Sequence, residues 1–353
     1  MLVGGGHAHV AVLADWIENG LPCEQASLLT PSRTLRYSGM VPGWIAGQYQ
    51  RDEGTVDVGA LAERAGVELV LDRCVAIDPA TSSVLTQSNG LIRYDVVSID
   101  SGGVGRARAV LGDDPRLLDI RPIGGFVERL EDAPPAERIA VVGGGAGGTE
   151  LAFALRNRER ASPMPEVTFI TGSPGLLPDH SSAVRAKVAA EFGRQGIEVI
   201  EKDVTIRDDL LAIADLIVAA LGSAAPDWPG KGGLATDREG FISVDAHQRS
   251  TSHPNVFAVG DVAARTDRDI PHSGVHAVFA GPVLAANLRA AMAGEEPRQS
   301  YIPRWNNLYL LSTGQGGAIA SYGPFAAQGR WVSRLKHWID MRWISKYARL
   351  ARS

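Results

Sequence analysis

Val3–Val10 reads VGGGHAHV, and Val141–Glu150 reads VVGGGAGGTE. Each stretch follows a hydrophobic strand and opens a helix of small residues. In the second, Gly143, Gly145 and Gly148 complete a Gly-x-Gly-x-x-Gly turn. In the first, Gly4 and Gly6 are in place and His9 stands where the third glycine belongs. The first glycine of such a turn permits the tight bend, the second lets backbone approach a pyrophosphate, and the third permits helix–strand packing. The helix N-terminus then offers free N–H groups and a favourable dipole to the anion. Gly143, Gly145, Ala146 and Gly148 are therefore candidates to hold one dinucleotide, and Gly4, Gly6, His7 and Ala8 a second. His7 and His9 have no evident carboxylate or thiol partner for a metal, so both read as packed, satisfied histidines.

Working outward, each turn is followed by another strand, Ala26–Thr30 and Glu166–Ile170, so a β-α-β nucleotide-binding unit occurs twice. The helix of the second unit runs as TELAFALRNRER, Thr149–Arg160. Pro-rich Ala133–Arg138 leads into that unit and turn-rich Ser223–Leu234 leads out. The fold class predicted is α/β, with two Rossmann-like domains, one inserted into the other, plus a short C-terminal segment. The first domain takes residues 1–110 and resumes at 230–302, the inserted domain takes 111–229, and the tail takes 303–353. Two hydrophobic strands run into glycine crossovers, YDVVSIDSGG with Gly102 and ADLIVAALGS with Gly222. Neither second strand ends in the acid that commonly holds a ribose. Thr30, Ser32 and Thr171 offer hydroxyls instead, which leaves NADH against NADPH open. The opening strand, Met1–Val3, is short for a central parallel strand and suggests a shortened N-terminus.

The chain has 353 residues, 45% apolar and 21% charged, with net charge −5. That balance suits a globular protein and argues against nucleic acid as a partner. Cys23 and Cys74 form no disulfide framework and no zinc pattern. Among apolar runs, Leu210–Leu221 is interrupted by Asp215, and with the glycine motif opening the sequence no signal peptide is expected. A cytoplasmic location is expected, with contact at the inner face of a membrane left open.

HPNVFAVGDVA, His253–Ala263, carries the most specific signal. A strand ending in Gly260-Asp261 resembles the second FAD fingerprint of two-dinucleotide flavoproteins. Together with the glycine turns and crossovers, it makes nearly the whole chain resemble the FAD-dependent pyridine nucleotide-disulfide oxidoreductase superfamily. LVGGGHAHV, YSGMVPGWIAGQY, YDVVSID and GRWVSRLKHWID resemble a narrower group within it. That group is similar to type II NADH dehydrogenases and is often fused to the N-terminus of selenide, water dikinase, and His in the third glycine position is one of its features. The sequence departs from the group in SIDSGG, where SIDIGS is expected, and in Phe279, where an Arg often stands.

The resemblance implies that Gly4, Gly6 and Asp261 bind FAD and that Gly143, Gly145 and Gly148 bind NAD(P)H. It puts Glu150 near the flavin–nicotinamide junction, to orient the carboxamide or relay protons; capping its own helix is the alternative. It also turns the helix opened by His276 and Ala277 toward the flavin. Disulfide reductases of this fold carry a cysteine pair on the helix after the second strand, and RYSGMVPGW has none. Electrons from NAD(P)H are thus expected to leave the flavin for an acceptor that needs no protein thiol: a quinone, oxygen or a one-electron carrier. A quinone-like acceptor is the leading expectation, because the tail described next suits a lipid quinone. The competing readings are a reductase serving selenium metabolism or a small redox protein, and a flavin-binding redox sensor. In the basic, Trp-rich tail, a helical projection puts Trp331, Val332, Leu335, Trp338 and Ile339 on one face and Ser333, Lys336, His337 and Asp340 opposite. Such a helix suits an anionic bilayer; docking on the protein's own core or in a homodimer is the alternative.

Overall fold

Each glycine turn springs from the central strand of a five-stranded parallel sheet, and in both sheets the next two strands lie on one side of it and a later strand on the other. The outermost strand beyond that later one comes last in the chain in the first sheet and first in the second. The computed structural model describes residues 1–158 and 164–352. Along the chain the elements that matter are β1 (Leu2–Val3), α1 (His7–Asn19), β2 (Ser27–Thr30), β3 (Glu68–Leu71) and β4 (Val97–Ile99). Then come β5 (Leu117–Asp119), β6 (Arg138–Val142), α2 (Ala146–Arg156), β7 (Glu166–Ile170), β8 (Glu198–Ile200) and β9 (Leu216–Ala219). β10 (Val256–Ala258), α3 (Gly274–Met292), β11 (Tyr309–Ser312), β12 (Ala318–Tyr322), β13 (Phe325–Gly329) and α4 (Arg330–Arg352) complete the set.

The first sheet runs β10-β4-β1-β2-β3 and the second β5-β9-β6-β7-β8. In both, the chain leaves the central strand through the glycine turn, adds the next strand on one side and a later strand on the other. That reversal opens a crevice at the carboxyl ends of the strands, over the turn. β10 returns to the first sheet after the second is complete, bringing Gly260-Asp261 to the mouth of the first turn. β1 has two residues only, but it is paired on both sides, with Leu28–Leu29 and Ser98–Ile99. The Met1 amine donates to Val96 O at 2.7 Å, and burial lowers its pKa to about 6.

α1 buries Ala8, Val10, Val12, Leu13 and Trp16 and packs along α3. Gly281 makes that approach close, since a Cβ there would lie 2.7 Å from the Ala11 side chain. By length and composition α3 could cross a membrane; its contact with α1 makes it a core helix here. The Leu210–Leu221 run instead ends in β9, and Asp215 accepts from the backbone N–H groups of Glu137 and Arg138 at 3.1 and 2.8 Å. The helix predicted to reach Arg160 stops at Arg156, and residues 159–160 lie outside the described ones.

α4 corrects the helical projection. Its buried stripe is Val332, Asp340, Ile344 and Tyr347, while Trp331 and Trp338 are each 57% exposed. Lys336 and Asp340, assigned to the solvent face, have side chains only 12% and 5% exposed. They are four residues apart, so they share one helix face and partly neutralise each other at 3.2 Å. A charged pair can then occupy positions that apolarity alone assigns to Leu335 and Ile339.

Candidate active site

The second glycine turn is built as its sequence requires. Gly143 has φ +129°, and a Cβ there would lie 2.3 Å from Ala220 O. A Cβ on Gly148 would lie 2.0 Å from Gly143 O, so α2 rests directly on the turn. Gly145, by contrast, opens onto free space at the head of α2, just before Ala146. A cavity of about 430 Å³ lies over it, lined by Gly143–Gly145, Thr171, Gly172, Lys202, Asp203 and Gly222. Thr171 donates its hydroxyl to Gly172 O at 3.1 Å.

The first turn solves the same packing problem differently. Gly4 has φ +94° and sits against the Asp100 backbone, 2.4 Å from where its Cβ would be. His9 is fully buried; its Nδ1–H donates to Gly4 O at 2.6 Å and its Nε2 accepts from Ser98 Oγ at 2.8 Å. Burial lowers its pKa to about 4, so the ring is neutral. The satisfied-histidine reading holds for His9 and fails for His7, whose buried Nε2 has no partner. Burial likewise lowers the His7 pKa to about 4, and its ring lies 5.7 Å from Tyr37 and 5.5 Å from Trp343. Thr30 and Ser32 donate to Ser32 O and Thr34 O of their own loop, so both hydroxyls already serve the turn.

Beside Gly6 stands a group that the glycine pattern did not foretell. The Asp100 carboxylate accepts from Ala8 N at 2.8 Å and His9 N at 3.1 Å, and a Cβ on Gly6 would lie 2.3 Å from its Cγ. The available signal was an acid ending a buried strand just before Gly102. Gly102 itself, at φ +72°, faces open space, as does Gly222 at φ +81°. Gly260 closes on Asp100, and Asp261 pairs with Arg121 at 2.6 Å and accepts from Ser223 Oγ at 3.1 Å.

Glu150 does not cap its own helix. Its Oε1 accepts from Ser312 N, at the end of β11, at 2.9 Å. Burial raises its pKa, opposed by the nearby Lys336 charge. Lys336 donates to Gly39 O at 2.8 Å. Burial disfavours its ammonium, yet Glu150, Asp340 and Tyr37 more than compensate and raise its pKa. Burial also raises Asp340 and pushes Tyr37 up to about 12. Tyr37 stacks on Trp343 at 4.7 Å, which links this charged cluster to His7. None of Tyr37, Lys336 and Asp340 was singled out from sequence as a site residue.

His276 is buried at the head of α3, bonded to Tyr301 Oη at 2.7 Å, and burial lowers its pKa. Ala277 packs beside Gly260. Over the Phe279 ring, where the related group often has an Arg, the Arg304 guanidinium sits at 4.3 Å. Neither cysteine is near these groups in the bonding: Cys23 Sγ contacts Gln25 O and Cys74 Sγ contacts Ala76 O.

The family model for pyridine nucleotide-disulphide oxidoreductases matches residues 1–281. The chain belongs to this family. Among relatives of this pyridine nucleotide-disulphide oxidoreductase, the ferredoxin reductase subunit of a Sphingobium 5,5'-dehydrodivanillate O-demethylase is 28% identical over 300 residues, 76% of this chain and 68% of that one. The NADH dehydrogenase-like protein YutJ of Bacillus subtilis is 25% identical over 321 residues, 87% of this chain and 83% of that one. The solved sulfide:quinone oxidoreductase of Aquifex aeolicus shares the fold, with TM-score 0.76 and 18% identity over 99% of this chain and 91% of that one.

FAD and NAD(P)H are the cofactors of the family. The residues present fit both. The space at Gly145 and the cavity over it accept the pyridine nucleotide, and the open face of Gly102 and the unpartnered His7 Nε2 suit a polar ligand at the first turn.

Proposed function

We propose that the chain is an NAD(P)H dehydrogenase that passes electrons through FAD to an acceptor of the quinone class, with no protein thiol in the path. Gly4, Gly6, His7, Gly102, Gly260 and Asp261 hold FAD in this reading; Ala8, fully buried with its N–H bonded to Asp100, lies behind the turn. Gly143, Gly145, Ala146, Gly148, Thr171 and Gly222 hold NAD(P)H. The division into 1–110 with 230–302, 111–229 and 303–353 follows the two seats. Bound FAD supplies the relay between a hydride donor and the acceptor.

The observation that carries the reading is the buried cluster of Glu150, Lys336, Asp340 and Tyr37. It joins the head of the nucleotide helix α2 to α4 beside His7, at the meeting of the two seats. Quinone reduction consumes protons, and a carboxyl raised by burial beside a fixed ammonium is suited to hold and release one at Glu150. An apolar acceptor also finds apolar surface: Trp305 is 97% exposed and Phe325 72%, on the same C-terminal segment as Trp331 and Trp338, and Ile302, just before that segment, is 70% exposed. Those side chains, with the basic Arg334 and Arg342, suit a peripheral contact with an anionic bilayer. The quinone named for the Aquifex neighbour is compatible with this reading.

The test is anaerobic stopped-flow on the purified flavoprotein. NADH or NADPH should bleach the flavin, and a soluble short-chain quinone should restore its colour faster than oxygen does. No bleaching by either nucleotide overturns the proposal, and bleaching with no reoxidation by quinone overturns the acceptor.

A further inference from the structure

Asp100 takes no part in the electron path, yet it occupies the most valuable anion position in the first domain. It is 4% exposed, and its Oδ2 accepts from Ala8 N and His9 N at 2.8 and 3.1 Å. Those amides belong to the helix end that receives a dinucleotide's diphosphate in this fold. The carboxyl has nowhere to swing. Positions for a Cβ on Gly6 and on Gly260 lie 2.3 Å from its Cγ and 2.8 Å from its Oδ1, so glycine backbone walls it on both sides. His7, at the start of the same helix turn, adds a buried Nε2 with no partner, which points to a polar ligand there.

The charges facing Asp100 do not neutralise it. Asp261, after β10, adds repulsion and is itself paired with Arg121. On α1, His9 is neutral and committed to Gly4 O and Ser98, and His7 is neutral through burial. A carboxylate and a diphosphate on one helix end would repel strongly in a site this dry, whereas a carboxylic acid offers an O–H donor in place of a charge.

We propose that Asp100 accompanies bound FAD as the neutral acid, so that flavin binding takes up one proton from solvent. This rests on the first glycine turn being the flavin seat. Burial already raises the Asp100 pKa to about 7, with Asp261 adding to the shift against the two amides. Near neutral pH the required proton is therefore readily available. Because the diphosphate raises that pKa further, affinity is full below the pKa of the empty site and falls as pH rises through it.

The experiment dilutes the flavin-loaded protein across about pH 6 to 9 and reads released FAD by its fluorescence, with far-UV circular dichroism confirming the fold. The dissociation constant should be level at the acid end and climb by up to about tenfold per pH unit above about pH 7. Asp100→Asn, which keeps an acceptor for the two amides and carries no charge, should hold flavin as tightly at the alkaline end as at the acid end. A wild-type constant that stays level across the range overturns the proposal, whether or not the variant folds. So does an Asn variant that releases flavin more readily than wild type at every pH. Protein that carries no flavin at any pH overturns the flavin-seat reading itself.

Discussion

His9 Nδ1 lies 2.6 Å from Gly4 O, the carbonyl of the residue five positions earlier. In the second turn the equivalent pair is Gly148 and Gly143, and there not even a methyl group fits, with 2.0 Å from the Cβ position to Gly143 O. One turn closes by bare contact and the other by a side-chain bond to the same carbonyl. His9 is thus a clamp between the turn and β4, through Ser98, rather than a mark of decay.

Replacing His9 by glycine should therefore cost about 2–4 kcal/mol, since it opens a cavity and leaves Gly4 O and Ser98 Oγ without their partner. Thermal melting of the variant measures it, and flavin should be lost only as the fold is lost. The wild type should also weaken as pH falls. The folded pKa of His9, about 4, is depressed below 6.5, so its contribution is complete above 6.5 and drains away toward 4. His9→Asn should flatten that part of the stability profile.

Gly148→Ala tests the second turn by the opposite logic. The methyl group would collide with Gly143 O, and α2 can only move off the turn. We expect nucleotide binding to fall at least tenfold while flavin content holds, because the first sheet does not use this contact. Isothermal titration with NAD+ reads the loss directly.

Both glycine turns, the repeated β-α-β units and the return of Gly260-Asp261 were legible in the sequence because local backbone geometry dictates them. The cluster around Glu150 was not. Lys336 and Asp340 look like solvent residues on any apolarity scale, and only tertiary packing reveals that each cancels part of the other's burial cost. Asp100 was hidden for a related reason: its partners, Ala8 N and His9 N, lie about ninety residues away and carry no side-chain signature.

Glu150→Gln should lower the turnover number by about 10²-fold or more if the carboxyl handles a proton, with flavin content and NAD+ affinity little changed. Lys336→Met should do more damage, because it strands Glu150 and Asp340 as buried acids; breaking such a pairing typically costs about 3–5 kcal/mol. Deleting the tail from Trp331 onward is consequently no clean test of membrane contact, since it removes Lys336, Asp340 and the buried Val332, Ile344 and Tyr347. Trp305→Ser, Trp331→Ser and Trp338→Ser together leave those groups intact. If the exposed rim binds lipid, the triple variant should sediment less with anionic vesicles and keep its rate with a soluble quinone.

The nucleotide preference follows from the far end of the cavity. One half of the dinucleotide must point toward Gly222 and Ser223, which adjoin Asp261; the other half then lies over the ends of β7 and β8. Thr171 and Gly172 close β7 there, and Lys202 and Asp203 follow β8. Asp203 Oδ1 accepts from Ser173 N at 3.0 Å, so the next strand brings to this edge the carboxylate that β7 lacks. Among the described residues Lys202 is the one cation in the lining, and it is engaged by Asp208 at 2.7 Å. A carboxylate suits a ribose 2′-hydroxyl, and a 2′-phosphate needs a free cation. NAD+ should therefore bind the purified protein about tenfold or more tightly than NADP+. Asp203→Asn should narrow that ratio by weakening NAD+, and Asp208→Asn should narrow it by freeing Lys202 for NADP+. Titration calorimetry separates the two effects, and equal affinity for both nucleotides in the wild type would show that Asp203 does not read the ribose.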